Sequence, residues 1–521
     1  NNINNNNNKN KNNKNPDFRY HSENKIYSLN GRKKDYFGYS IGLYESTLVV
    51  GAYSASPVVQ YSGSISIFTK NFTSSAKNKT VWSERATLVA EEALSHDSFG
   101  GSVSIWNKYI LVGAHLDDGA GTSSGAAYIF ENDGGTWKEA QRLVAPDSTA
   151  GNFFGFSSSI CRDVAAVGAH GWAYQGSLVG AAYIFRLSSS SGYWSAEAKL
   201  TPSDVQEFQM FAYSVSTASN VILVGAYGDR AFGTNTGSAY IFTSETVTDS
   251  SSGNYTTYTK WTQTVKLRAS NPQAHSYFGI STAMYYDPNN PNLCIAVVGA
   301  SMATGKVVSS GAVYVFHGVI GNSGGYSWTQ KAKLVAYDGA SNDFFGAAVG
   351  VYGNVVLVGA KEDSVKATAS GAAYLFSMSS KTEWSFQSKI FANDSGPYDD
   401  FGVSVALWED VAVVGADRAS GVVDESGCAY VYSPGLIKPL FPVNNRLMSM
   451  SQTKFILLLT VLPLTLLVLP MLLFAIFCQS KKPKPLTGGK LGGEDDDLSP
   501  ASSHSSMSDM SLTSISRRPS P

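Results

Sequence analysis

Side chains able to do chemistry recur in this chain at one kind of place, two residues beyond the glycine of a Gly-Ala pair. The positions are Tyr53, His115, His170, Tyr227, Ser301, Lys361 and Asp417, with Asp117, Asp118, Trp172, Tyr174, Asp229, Arg230, Phe232 and Arg418 close by. Exposed Trp, Tyr and Arg are the residue types that anchor interfaces, so the set reads as a binding surface. Its candidate ligand contacts are Tyr53, His115, His170, Trp172, Tyr174, Tyr227, Asp229, Arg230, Lys361, Asp417 and Arg418. His115 and His170 hold matching positions, where two imidazoles could share a metal, but two ligands fall short of a site and none is expected. There is no HExxH, no GxSxG, no phosphate-binding glycine loop and no CxxC, so no catalytic residue is assigned. The alternative to a binder is a hydrolase or lyase whose site is assembled at the centre of the fold from distant segments.

The elements that carry these positions repeat. Phe99 to Phe130 holds an alternating run, a polar break, the apolar run Tyr109 to Val112 ending at Gly113-Ala114, and a third run from Gly125. Trp137 opens a fourth run that closes at Leu143-Val144-Ala145. Alternation, β-branched and aromatic enrichment and glycine breaks predict four antiparallel strands. Phe-Gly recurs at Phe37, Phe99, Phe154, Phe278, Phe345 and Phe401, with Phe211-Ala212 as a degenerate copy. Gly-Ala recurs at Gly51, Gly113, Gly168, Gly225, Gly299, Gly359 and Gly415; a third-strand glycine recurs at Gly63, Gly125, Gly180, Gly237, Gly311, Gly371 and Gly427. Each landmark appears seven times, which predicts an all-β, seven-bladed β-propeller of four-stranded antiparallel blades. The phenylalanines are expected between blades, and Trp82, Trp137, Trp194, Trp261, Trp328 and Trp384 over blade edges. An open stack of modules is the structural rival. Against it, the seventh unit lacks a fourth strand, and Ile26-Tyr27-Ser28 stands before Phe37 as Leu88-Val89-Ala90 stands before Phe99. The chain's start is therefore expected to complete blade seven, removing a sheet edge.

These landmarks resemble the FG-GAP repeats of integrin α heads over roughly Phe18 to Gly435. The resemblance implies a ligand-binding propeller face and calcium in some blades. Calcium needs several oxygen ligands in the loop between Phe-Gly and Gly-Ala. Here that distance allows only a tight hairpin such as Trp106-Asn107-Lys108, and the longer insert Asp287 to Asn292 has one carboxylate. No cofactor is expected. The tail lacks the Gly-Phe-Phe-Lys-Arg motif of integrin α chains, which argues against conventional β-subunit pairing.

With 521 residues, 43% hydrophobic, 15% charged and a net charge of −1, the chain points away from nucleic acid. Five segments are expected: an Asn-rich leader over 1–17, the propeller over 18–435, a linker over 436–454, a transmembrane helix over 455–477 and a disordered tail over 478–521. The span Phe455 to Phe477 has no charge and is long enough for a bilayer. Lys481, Lys482 and Lys484 follow it, placing the tail inside and the propeller outside, a type I plasma-membrane protein. No charged-then-apolar leader is legible at Asn1. Sequons at Asn71, Asn78, Asn254 and Asn393 are glycosylation candidates assigned to loops. Cys161, Cys294 and Cys428 read as core residues of separate blades, and Cys478 as a free or acylated thiol. The Ser-rich tail offers phosphorylation sites for a cytoplasmic partner. The expected function is cell-surface adhesion or recognition of an extracellular protein or glycan through the propeller's loop face.

Overall fold

The computed structural model describes residues 23–432 apart from 73–79, 250–255, 288–289, 291, 322–324 and 380–382. The proposed leader, linker, membrane span and tail lie outside these residues, as do Asn78 and Asn254. Among the described residues, no helix is long and apolar enough to cross a membrane.

Seven four-stranded antiparallel sheets account for the strands, joined by one two-stranded hairpin, Ala173–Tyr174 with Ser177–Leu178. Blade two shows the plan: Phe99–Trp106, Tyr109–Ala114, Ala126–Asp133 and Thr136–Leu143, in that spatial order. The second strand is buried throughout, because it is sandwiched on both faces, and it reads as an unbroken apolar run. The fourth strand alternates between exposed and covered. First strands of successive blades touch one another around the ring, so they form its inner wall.

Closure is complete. Glu23–Ile26 pairs with the third strand of blade seven, with Glu23 opposite Tyr432 and Ile26 opposite Ala429. Seven buried clusters form, each between two successive blades. An open stack of seven modules would have only six such interfaces. The seventh joins Val411, Val413 and Ala429 of blade seven to Phe37, Leu48 and Val50 of blade one.

The repeated residues make these interfaces. Phe99 is fully buried and meets Tyr128 and Phe130 edge-on at 5.4 and 5.8 Å. The Gly-Ala glycine lies against the Phe-Gly carbonyl of the following blade: a Cβ on Gly113 would stand 1.8 Å from Gly155 O, and one on Gly415 2.0 Å from Gly38 O. No side chain fits there. The serine three residues after Phe donates to the same carbonyl in six blades, from Ser40 to Gly100 at 2.7 Å through to Ser404 to Gly38 at 2.6 Å. Blade six has Ala348 there instead. Of the tryptophans, Trp82 and Trp194 are buried outright, beyond the edge cover expected of them.

Candidate functional site

The loops between strands two and three and between blades emerge on one face of the ring, and they set its central mouth. Two positions per blade build that mouth: the residue before Phe-Gly and the residue two beyond the Gly-Ala glycine. The first is Tyr36, Ser98, Phe153, Met210, Tyr277, Phe344 or Asp400, each with φ between 53° and 58°. That left-handed turn lets the chain reverse into its inner strand. Its side chain then meets the second position. Tyr36 stacks on Tyr53 at 5.3 Å and 7° between planes, and Phe153 stacks on His170 at 5.2 Å.

Inner-strand residues two after Phe complete the lining. Tyr39 lies 4.5 Å from Tyr53, Phe156 stands 4.3 Å from His170 and 5.3 Å from His115, and Tyr213 bridges to Tyr227 at 4.7 Å. Tyr277 then meets Tyr227 at 5.5 Å. The result is a half-buried aromatic arc over blades one, three, four and five. The structure brings Tyr53, His115, His170 and Tyr227 together in it. Phe156 stands against both imidazoles. Burial holds both neutral, with pKa values lowered to about 4.

Blades six and seven supply charge instead. Lys361, Asp400, Asp417 and Arg418 lie together, with Arg418 Nη1 3.4 Å from Asp400 Oδ2. Asp417 is 5% exposed, and burial first, then the neighbouring Asp400, raises its pKa to about 7. Ser301 is buried.

Other candidates are held by their own blades. Asp229 is fully buried rather than presented on the face, and it accepts from Tyr240 at 2.9 Å, Lys266 at 2.7 Å and Gln209 at 2.9 Å. Asp117 is likewise taken by Tyr128 and Arg142. Trp172 donates to Asp147 at 3.2 Å and lies under Lys199 at 3.4 Å. These belong to a clamp absent from the sequence reading: a third-strand tyrosine, one or two loop aspartates and a fourth-strand cation. Both aspartates are present in blade four, with Tyr240, Asp204, Asp229 and Lys266, and in blade six, with Tyr374, Asp338, Asp363 and Lys389. Beside the blade-six clamp opens a cleft of about 460 Å³ lined by Asp338, Asp343, Glu362, Val365 and Tyr398.

Tyr174, Arg230 and Phe232 are exposed, as are Asp118 and Arg418. Arg230 lies over Phe208, and Arg268 over Phe232. They sit in a wider crown. Of the exposed large apolar side chains among the described residues, all but Tyr193, Tyr258, Val319 and Phe386 belong to the loops of this face. Val58, Val59, Val307, Val308, Val422 and Val423 are among its aliphatic members.

The opposite end of the ring is closed by Trp106, Tyr44, Trp408, Tyr352 and Tyr285, packed in succession at 4.5 to 5.2 Å. Asn71 lies not in a loop but in the strand Ser64–Phe72, where its amide donates to Ser83 and accepts from Arg85. Asn393 is exposed in a loop of the mouth face. Among the described residues, no three His, Cys, Asp or Glu are grouped to hold a metal.

A family model described as FG-GAP repeat matches residues 20–68, 82–130, 137–185, 194–242, 261–316, 328–376 and 384–432, one segment per blade. The chain belongs to the FG-GAP repeat family. Each FG-GAP match starts near an outer strand and ends in the next blade's third strand, so 20–68 takes in Glu23–Ile26, the strand that closes blade seven. No curated protein matches this FG-GAP chain. Among solved structures, the crystal structure of Saccharomyces cerevisiae Sqt1 aligns over 79% of this chain and 86% of its own, at 11% identity and TM-score 0.39.

The mouth residues missed in the sequence, Tyr36, Tyr39, Phe153, Phe156, Tyr213, Tyr277 and Asp400, all flank the Phe-Gly pair. Their register was the available signal. The FG-GAP landmarks locate them without naming their role.

Proposed function

We propose that this protein is a cell-surface adhesion or recognition protein that engages its ligand through the loop face of the propeller. The observation that carries this is the concentration of exposed apolar side chains in the loops of that one face. Exposed apolar side chains gathered on one face of a folded domain suit an interaction surface. Aromatic and Arg side chains among it, such as Tyr174, Phe232 and Arg230, are the usual anchors. The third strand of blade seven ends at Tyr432 on the opposite face, so a tether beginning there leaves the loop face free. The ring's stable core suits display of variable loops.

The test is adhesion of cells bearing the full chain to a panel of partner cells. Replacing Val307 and Val308 by Asp should abolish it, whereas Tyr193→Asp on the other face should not. Equal loss in both, or in neither, refutes the reading.

A second reading, a hydrolase at the ring's centre, is favoured by one observation, the paired carboxylates Asp400 and Asp417, of which Asp417 is poised to hold a proton near neutrality. The aromatic arc that lines the mouth over blades one, three, four and five supports binding over turnover. Hydrolysis of chromogenic glycosides, abolished by Asp417→Asn, would establish the enzyme instead.

A further inference from the structure

Blade seven departs from the other six at the mouth, because both of its mouth positions are carboxylates, Asp400 and Asp417. They are 2% and 5% exposed, and Oδ1 of each has no hydrogen-bond partner. The six other buried aspartates among the described residues all have donors. Asp35, Asp97 and Asp343 accept backbone N–H groups, and Asp117, Asp229 and Asp363 accept a tyrosine hydroxyl and a cation. An unpaired buried carboxylate oxygen is expensive. A pair left in this state beside an aromatic mouth points to donors that come from outside.

The surroundings narrow the donor's chemistry. The cations facing the pair are Arg418 and Lys361, and beyond the two aspartates themselves the anions near Asp400 are Glu362 and Asp399. An incoming cation would be repelled by Arg418 and Lys361. Uncharged hydroxyls would not, and O–H···carboxylate hydrogen bonds are among the stronger kind. On the other side, burial raises the phenol pKa values of Tyr39 and Tyr53, and Asp417 is close enough to add to the rise. Tyr36, Tyr53 and Tyr39 pack together there as one aromatic group. Arg418 is 49% exposed and makes an ion contact without a hydrogen bond, so it can swing aside.

We infer that the mouth between blades seven and one is a subsite for a neutral sugar. Asp400 and Asp417 accept hydroxyls of the sugar, and Tyr36, Tyr39 and Tyr53 cover its apolar C–H face. Few polar groups set in an aromatic wall are the usual design of a small-ligand site. The inference rests on the loop face being the recognition surface and names the ligand class of its centre.

The experiment titrates tyrosine fluorescence of the full-length protein in lipid nanodiscs with glucose, galactose, mannose, N-acetylglucosamine and the cationic glucosamine. At least one neutral sugar should give a saturable change. Asp417→Ala and Asp400→Asn should each weaken it at least about tenfold, or ~1.4 kcal/mol. The Tyr193→Asp variant, on the other face, should bind as wild type. No saturable response to any of the neutral sugars overturns the inference, as does unchanged binding by either aspartate variant or tighter binding of glucosamine than of the neutral sugars. If Asp417→Ala does not fold, Asp400→Asn decides. Lost adhesion in the valine variant with no sugar response refutes the sugar subsite alone. Sugar binding with adhesion intact in that variant supports the subsite and refutes the crown as the adhesive surface.

Discussion

Replacing Asp417 by Asn should stabilise the propeller at alkaline pH and leave it unchanged in acid. Asp417 is 5% exposed, and its pKa rises from 3.8 to about 7, through burial first and the Asp400 charge second. A carboxyl whose pKa is raised by folding favours the folded state below its unfolded pKa, near 3.8. That contribution is lost as pH rises through the folded value, near 7. Three units at ~1.4 kcal/mol each set an upper bound of about 4 kcal/mol for the charge held at pH 8. Arg418 and Lys361 already oppose the shift, so no further discount for them applies. Asparagine matches the protonated acid in shape and carries no charge. Urea unfolding at pH 3, 6 and 8 should show the variant equal to wild type at the lowest pH and more stable by about 2–4 kcal/mol at the highest. His115 and His170, with lowered pKa values, impose the opposite slope on both proteins and cancel in the difference. A pH-independent difference, or a variant weaker than wild type at pH 8, refutes the reasoning.

Three further outcomes follow from the interfaces. Lys389→Met leaves Asp338 and Asp363 without their shared cation, and urea unfolding should show a loss of about 3–5 kcal/mol. Ala212 holds φ +64 where six blades have glycine, so Ala212→Gly should gain about 1 kcal/mol in the same assay, less whatever its buried methyl contributes. Gly415→Ala drives a Cβ into Gly38 O, 2.0 Å away; limited proteolysis should then find blade one and blade seven separated, and a protected ring would refute the close-approach account.

The ring was legible because Phe-Gly, Gly-Ala and the third-strand glycine are constraints of backbone approach, which few residues satisfy. Ile26 before Phe37 showed the closure for the same reason. The mouth was half legible. Tyr53, His115, His170 and Tyr227 follow from their register after Gly-Ala. Tyr36, Phe153 and Tyr277 do not, because a left-handed residue breaks the two-residue alternation by which a strand's faces are told apart. Asp229 was read as a ligand contact because its partners, Gln209, Tyr240 and Lys266, come from other strands and a loop that only the fold brings near. Asn71 looked like a loop sequon because nothing local marks how far the strand Ser64–Phe72 extends.

Glu23 and Tyr432 are paired neighbours at the edge of the face opposite the mouth, so whatever precedes the one and follows the other departs from a single spot. A pull between a ligand on the mouth and an anchor beyond Tyr432 would run along the strand Cys428–Tyr432. That strand is hydrogen-bonded on both flanks, to Glu23–Ile26 and to Val411–Ala416. Load in that direction shears two ladders at once instead of peeling bonds singly. The clasp that shuts the ring would also be the seam that bears tension.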